Sequence, residues 1–219
     1  MKALLLGSIG TLADTSELQR WAFNAAFHAH GLDWDWDRET YAGMLTTSGG
    51  ADRIARHAAT LGHDVDVAAV HATKSDLFQS ALAEGKARMR PGLDHILTRA
   101  RQDGMALGLV TTTEPGNVEH LLRGLDLDAD LFDVVTTRED VAAPKPAPDC
   151  YRRALGALGL RPDEALAIED NVPGVRAAQS AGVLCLIWPN ENTGGHDFPR
   201  AARVSDDITR MIWAGTLAA

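Results

Sequence analysis

Apolar positions along this chain follow two rhythms that change over near residues 14 and 88. Ala3-Leu4-Leu5-Leu6 is an unbroken apolar run closed by Gly7, which predicts a strand buried on both faces. Thr15 or Ser16 can then cap a helix that runs to about His30. Its apolar face includes Trp21, Ala25 and Phe27, and Gly31 ends it. In Asp33-Trp34-Asp35-Trp36-Asp37 the rings are expected to pack, while the carboxylates cap the next helix or face water; a surface contact is the other reading. Asp37 to Leu45 and Ala51 to Leu61 read as helices on either side of a Thr46-Thr47-Ser48-Gly49-Gly50 loop. Val65 to Ala87 forms one or two more, with Lys74, Lys86 and Arg88 expected on a solvent face.

Pro91-Gly92 punctuates a return to strand–helix alternation. A helix from Leu93 to Gln102 precedes a strand at Ala106 to Val110, and another helix starts near Gly116. Phe132 to Thr136, Ala165 to Ile168 and Val183 to Trp188 are strand-like. A rigid Ala143-Pro144-Lys145-Pro146-Ala147-Pro148-Asp149 loop leads into a helix ending near Gly159, and another helix follows Pro173. After an Asn192-Thr193-Gly194-Gly195 loop, Asp206 to Trp213 is expected to be helical. Short strand-to-helix links imply parallel strands with right-handed crossovers. The expected architecture is an α/β core of residues 1–13 and 89–219, with a helical domain of residues 14–88 inserted after the first strand. Both ends of that insertion leave the sheet edge where α/β folds bind ligands, so it is placed to act as a lid.

Composition narrows the partners. The apolar fraction of 45% supports a true core, and a formal charge of -9 with no long basic run argues against nucleic acid and anionic membranes. No stretch approaches the ~20 apolar residues of a membrane-spanning helix. Lys2 and the short apolar run after it are interrupted by Gly7 to Thr11 before any signal-peptide cleavage site could follow. Cys150 and Cys185 are far apart and not in a metal-like spacing, so a reducing, cytoplasmic setting without a disulfide is expected.

Four strand ends then converge: Gly7 to Thr11, Thr111, Lys145 and Glu169-Asp170. Thr111 offers a hydroxyl near backbone N–H groups, which suits phosphate oxygens. Lys145, held between prolines, is a point charge for the same oxygens. A Glu169-Asp170 pair suits Mg²⁺, which takes a few carboxylates plus water and phosphate oxygen. Taken singly, each has a plainer reading: a threonine cap, a solvated lysine, an acidic turn. Their shared placement favours one phosphate-ester site.

These residues resemble the haloacid dehalogenase superfamily, in the branch of β-phosphoglucomutase and the CbbY-type sugar phosphatases. Gly7-Ser8-Ile9-Gly10-Thr11-Leu12 stands where that family has D-x-D-G-T-L. Thr111 matches its second motif, Lys145 to Asp149 match K-P-A-P-D, and Glu169-Asp170 with Gly174-Val175-Arg176-Ala177-Ala178 match its fourth. Trp21-Ala22-Phe23-Asn24, Gly31-Leu32, and Gly49-Gly50 with Arg53-Ile54 are similar to the family's helical (C1-type) cap. The resemblance implies a Rossmann-like parallel core with an inserted α-helical cap. It also implies a phosphate grip by Thr111, Thr112 and Lys145, and Mg²⁺ held by Glu169, Asp170 and the Ile9 carbonyl. Cap contacts to a small phosphorylated metabolite, a sugar phosphate, would come from Ser16, Gln19, Gly49, Gly50 and Arg53.

In the family the first aspartate of motif one attacks phosphorus and binds Mg²⁺, and the second is the acid–base. Here those positions hold Gly7 and Ile9. Covalent transfer needs a nucleophile and proton transfer needs a titrating group, and neither side chain supplies one. The resemblance also places an acidic residue at Ser16, a histidine at Gln19 and a basic residue at Ala51, so the cap contacts differ too. Asp14 and Asp149 are the candidates for a substitute base, although Asp14 reads more simply as a helix cap. Three functions stay open on the sequence: a phosphate-ester binding protein without turnover, an active Mg²⁺-dependent phosphatase or phosphomutase with another base, and an interaction protein with a vestigial pocket.

Overall fold

The structure is a computed structural model that describes residues 1–7, 9–200, 203–204 and 207–213. Ser8 of the first motif and Asp206 of the expected terminal helix lie outside the described residues. Strands β1 (Ala3–Leu6), β2 (Ala106–Val110), β3 (Val134–Thr136), β4 (Ala165–Glu169), β5 (Leu184–Ile187) and β6 (Arg203–Val204) form one sheet in the order β3-β2-β1-β4-β5-β6. Every pairing is parallel. β1 is central, with Ala3 in register with both Ala106 and Ala165. β6 is a two-residue edge strand, too short to leave a periodic signal.

The period-two rule divides the core. Leu4, Leu6, Leu107, Leu109, Leu166 and Ile168 face helices α6 (Leu93–Gln102), α7 (Pro115–Gly124) and α10 (Ile208–Trp213). Ala3, Leu5, Ala165 and Ala167 face α8 (Asp149–Leu158) and α9 (Val172–Ser180). A strand covered on both sides has no use for polar alternation, which is why β1 reads as a solid apolar run.

After β1 the chain makes a short helical turn, α1 (Ile9–Leu12), where the sequence suggested only a turn. Helices α2 (Ser16–Ala29), α3 (Arg38–Met44), α4 (Gly50–Leu61) and α5 (Val67–Ala83) follow. This run begins and ends at an antiparallel bridge between Ala13 and Met89, beside an Arg90 N–H donated to the Leu12 carbonyl at 2.9 Å. Phe23, Phe27, Trp34, Trp36, Tyr41 and Ile54 form a separate apolar cluster within it. Trp34 and Trp36 are buried as expected, and Asp37 caps α3 by accepting from the Thr40 N–H at 2.7 Å. Asn24 pins this segment, exchanging 3.0 Å hydrogen bonds with the Trp36 backbone. At the start of α2, the N-cap Thr15 makes no side-chain cap bond; Asp14 accepts from the Ser16 N–H and Oγ instead. Val67–Ala83 is a single helix, and its Lys74 is buried rather than on the solvent face. No helix among the described residues is long and apolar enough to cross a membrane. Cys150 and Cys185 are both buried free thiols.

Candidate active site

The C-terminal ends of β1, β2 and β4 open into a cavity of about 460 Å³, roofed by α2, α4 and α5. Ile9, Gly10, Thr111, Thr112, Lys145 and Asp170 line it from the sheet. Ser16, Gln19, Gly49, Gly50 and Arg53 line it from the helices. The structure thus brings together the expected site residues except Gly7 and Glu169, which are not on its wall.

The two absentees explain each other. Glu169 is completely buried, and Lys145 Nζ and Tyr151 OH each donate to its Oε1 at 2.7 Å. Lys145 also donates to the Val110 carbonyl at 2.7 Å and to the Gly7 carbonyl. A Cβ built on Gly7 would sit 2.1 Å from the Glu169 carboxyl and 2.5 Å from Tyr151 Oη. Glu169 therefore fills the volume that a side chain at position 7 would take, behind the cavity wall. Burial drives its carboxyl pKa upward against the opposing pull of the Lys145 charge.

The expected Mg²⁺ ligands do not form a set. Glu169 is engaged with Lys145, and the Ile9 carbonyl already accepts from the Ala13 N–H at 3.0 Å. Asp170 Oδ1 takes the Asn171 amide at 2.7 Å and Oδ2 the Asn190 amide at 3.1 Å. Among the described residues no three His, Cys, Asp or Glu side chains converge on one point. Of the expected ligands only the Asp170 carboxylate faces the cavity, and both of its oxygens are taken by amides, so the expected set does not fit resident Mg²⁺. Gly10 lets that carboxylate approach the loop, since a Cβ there would lie 2.0 Å from Asp170 Oδ2.

Thr111 is buried, and its Oγ1 accepts from the Thr113 N–H at 3.1 Å and donates to Thr113 Oγ1 at 3.0 Å. This ties the loop into a local turn at the end of β2. Neither substitute base is on the cavity wall. Asp14 accepts from Ser16, and Asp149 accepts from the Ala143 N–H at 3.1 Å.

The helical roof carries charge that sequence reading underrated. Arg53 is 7% and Lys74 4% exposed. Arg53 donates to the Thr47 carbonyl at 3.1 Å, while its Nε has no partner. Lys74 Nζ donates to Gln19 Oε1 and stands 4.8 Å from the ring centres of both Phe23 and Phe78. Burial and the nearby Arg53 push the Lys74 pKa down to about 7. His71, also on the wall, is held below its ordinary value by burial and by these two cations. At helical spacing Lys74 reads like any surface lysine. The signal that it faces inward is its packing between Phe23 and Phe78, which are 55 residues apart in sequence and meet only in the fold.

Lys74 makes stability depend on pH. Between its folded value of about 7 and its ordinary 10.5, the unfolded chain holds the extra proton. Stability is therefore expected to rise with pH across this window, by at most about 1.4 kcal/mol per unit, and to be flat in this respect below it. Urea denaturation at stepped pH tests this, and Lys74→Met should remove the slope.

The sequence places a loop after β5 but carries no sign of the contacts it makes. Asn190 joins Asp170 to this loop, accepting from the Asn192 N–H at 2.9 Å and the Thr193 N–H at 3.1 Å. The Asn192 amide donates to Ser16 Oγ at 2.9 Å and Glu17 Oε1 at 2.7 Å, and its carbonyl accepts from Arg38 at 3.0 Å. One polar loop thus holds α2 and α3 against the sheet end.

Comparison with known proteins places this geometry. The haloacid dehalogenase-like hydrolase family matches residues 1–182. Protein CbbY of Cereibacter sphaeroides is 40% identical over 216 residues, 96% of this chain and 94% of that protein. The plasmid-encoded Protein CbbY of Cupriavidus necator is 35% identical over 215 residues, 93% of this chain and 84% of that one. The crystal structure of CbbY from Rhodobacter sphaeroides in complex with phosphate superposes with a TM-score of 0.84 at 40% identity, covering 94% of each chain. A mutant of that protein in complex with xylulose-(1,5)bisphosphate gives 0.85 at 41%, again over 94% of each. Together with the parallel sheet and the converging strand ends, these matches show that the chain belongs to the haloacid dehalogenase-like hydrolase family, and within it resembles the CbbY proteins.

Proposed function

We propose that this chain binds a phosphorylated sugar between sheet and helical roof without forming an aspartyl-phosphate. Residues 14–88 act in this reading as a cap over the ligand. The observation that carries it is the pair Arg53 and Lys74, buried on the cavity wall with no carboxylate among the groups that set their charge state. A buried cation without a counter-ion is costly, and an anionic ligand removes that cost. The cavity has room for a small sugar phosphate. Two related structures, bound to phosphate and to a sugar bisphosphate, support the same ligand class.

The residues do three things in this reading. Arg53 and Lys74 neutralise a phosphate from the roof, with Gln19 orienting the ammonium. Thr112, on the cavity wall beside the Thr111–Thr113 turn, meets the ligand from the sheet with its hydroxyl and N–H. Ser16, Gly49 and Gly50 shape the space between, where a Cβ on Gly50 would come within 2.7 Å of His71 Nε2. Turnover is absent because Gly7 offers no nucleophile and Ile9 no proton.

Two measurements on the full chain test this. Calorimetric titration with sugar phosphates is expected to show saturable binding; none across a broad panel would point to a vestigial pocket. Phosphatase assays with Mg²⁺ are expected to read background for the native chain. Gly7→Asp combined with Ile9→Asp is not expected to restore turnover, because a side chain at position 7 meets the Glu169 carboxyl. Native turnover well above background would establish an active phosphatase using another base.

A further inference from the structure

Glu169 departs furthest from the role its motif implies. Its carboxyl lies between two glycines: a Cβ on Gly7 would be 2.1 Å from its Cδ, and one on Gly174 2.1 Å from its Oε2. Only the missing side chains at both positions let it lie there. Once there, it meets Lys145 and Tyr151. The lysine's three ammonium protons then have three acceptors inside the protein: Glu169 Oε1, the Val110 carbonyl and the Gly7 carbonyl. None is left over for a ligand oxygen, and the two charges cancel.

We infer that the buried Lys145–Glu169 pair stands in place of the divalent cation at this sheet edge, so that anion binding by this chain is independent of Mg²⁺. The inference deepens the proposed ligand-binding function and rests on it. Three observations bear on it together. The pair keeps the Glu169 carboxylate off the cavity wall and carries no net charge of its own to attract a dication. The fourth motif's other carboxylate, Asp170, is bonded through both oxygens to the Asn171 and Asn190 amides. The neighbouring guanidinium of Arg90, which feels the Asp170 charge, donates at 3.4 Å to the Gly10 carbonyl of the same loop. The charge that receives an anion is supplied from the roof, by Arg53 and Lys74, where no metal ligand is needed.

The test uses the full chain with inorganic phosphate and MgCl₂ as probes. Phosphate affinity is expected to be the same within about twofold in EDTA and in millimolar MgCl₂, and MgCl₂ alone should not shift the native melting temperature. A gain of about tenfold or more in phosphate affinity with Mg²⁺ would overturn the inference. Lys145→Met supplies the second arm. With the ammonium gone, the Glu169 carboxylate needs another cation, so MgCl₂ is expected to raise the melting temperature of this variant and not of the native chain. A folded variant as indifferent to Mg²⁺ as the native chain would overturn the claim that Lys145 holds Glu169 away from a cation. The two readings fail separately: Mg²⁺-dependent phosphate binding without turnover sinks this inference alone. Absence of binding by any phosphate or sugar phosphate, in either condition, sinks the proposed function and this inference with it.

Discussion

Lys145→Met is expected to destabilise the fold by about 3–5 kcal/mol, the usual cost of leaving one member of a buried ion pair behind. Lys145 is 5% and Glu169 0% exposed, so solvent screens neither charge. The substitution strands the Glu169 carboxylate with Tyr151 as its remaining donor, and it removes the donor to the Val110 and Gly7 carbonyls. Lys145→Met with Glu169→Gln is expected to recover much of the loss, because a buried pair replaced as a unit is often close to neutral. Urea denaturation of the native chain, both single variants and the double variant gives the coupling energy. A coupling below about 0.5 kcal/mol would mean that the two side chains do not act as a pair.

Lys74→Met is expected to move binding and stability in opposite directions. Sugar-phosphate affinity should fall by about 30-fold or more, the order seen when one partner of a desolvated charge contact is removed. The free protein should become more stable, because an ammonium between two phenylalanines gives way to an apolar chain of similar length. The pH dependence of binding follows from the same group. Its pKa near 7 leaves about half the ammonium neutral at pH 7, and a bound anion requires the charged form. Native affinity is therefore expected to weaken above pH 7, approaching tenfold per unit, with proton uptake on binding. Calorimetry in buffers of different ionisation enthalpy measures that uptake. If the Met variant loses stability and keeps its affinity, Lys74 is a packing residue and not an anion contact.

Much of the scaffold was legible in residue order. The apolar run at β1 and the helical spacing after it led directly to a parallel sheet with a helical run between its first two strands, as found. The Trp34–Trp36 segment was also read correctly, because two large rings flanked by carboxylates leave few ways to pack. What escaped were contacts between distant segments. Lys74 looked solvated because one lysine among polar neighbours carries no mark of the rings that cover it. Asn190 and Asn192 looked like ordinary loop residues because their partners, Asp170 and Ser16, are 20 and 176 residues away. β6 was not seen at all, since two residues at a sheet edge have no period.

The sequence by itself determined the α/β order, which follows from residue type and spacing, while the absence of the motif-one aspartates at Gly7 and Ile9 takes its meaning from the family resemblance. It did not determine where Glu169 points. A carboxylate at the end of β4 can turn toward a cation in the crevice or toward a lysine behind its wall. The choice depends on free volume and available donors contributed by Gly7, Lys145, Tyr151 and Gly174, which come from four separate stretches of the chain. Only their assembly in the tertiary structure makes the empty space at Gly7 the place where that charge is buried.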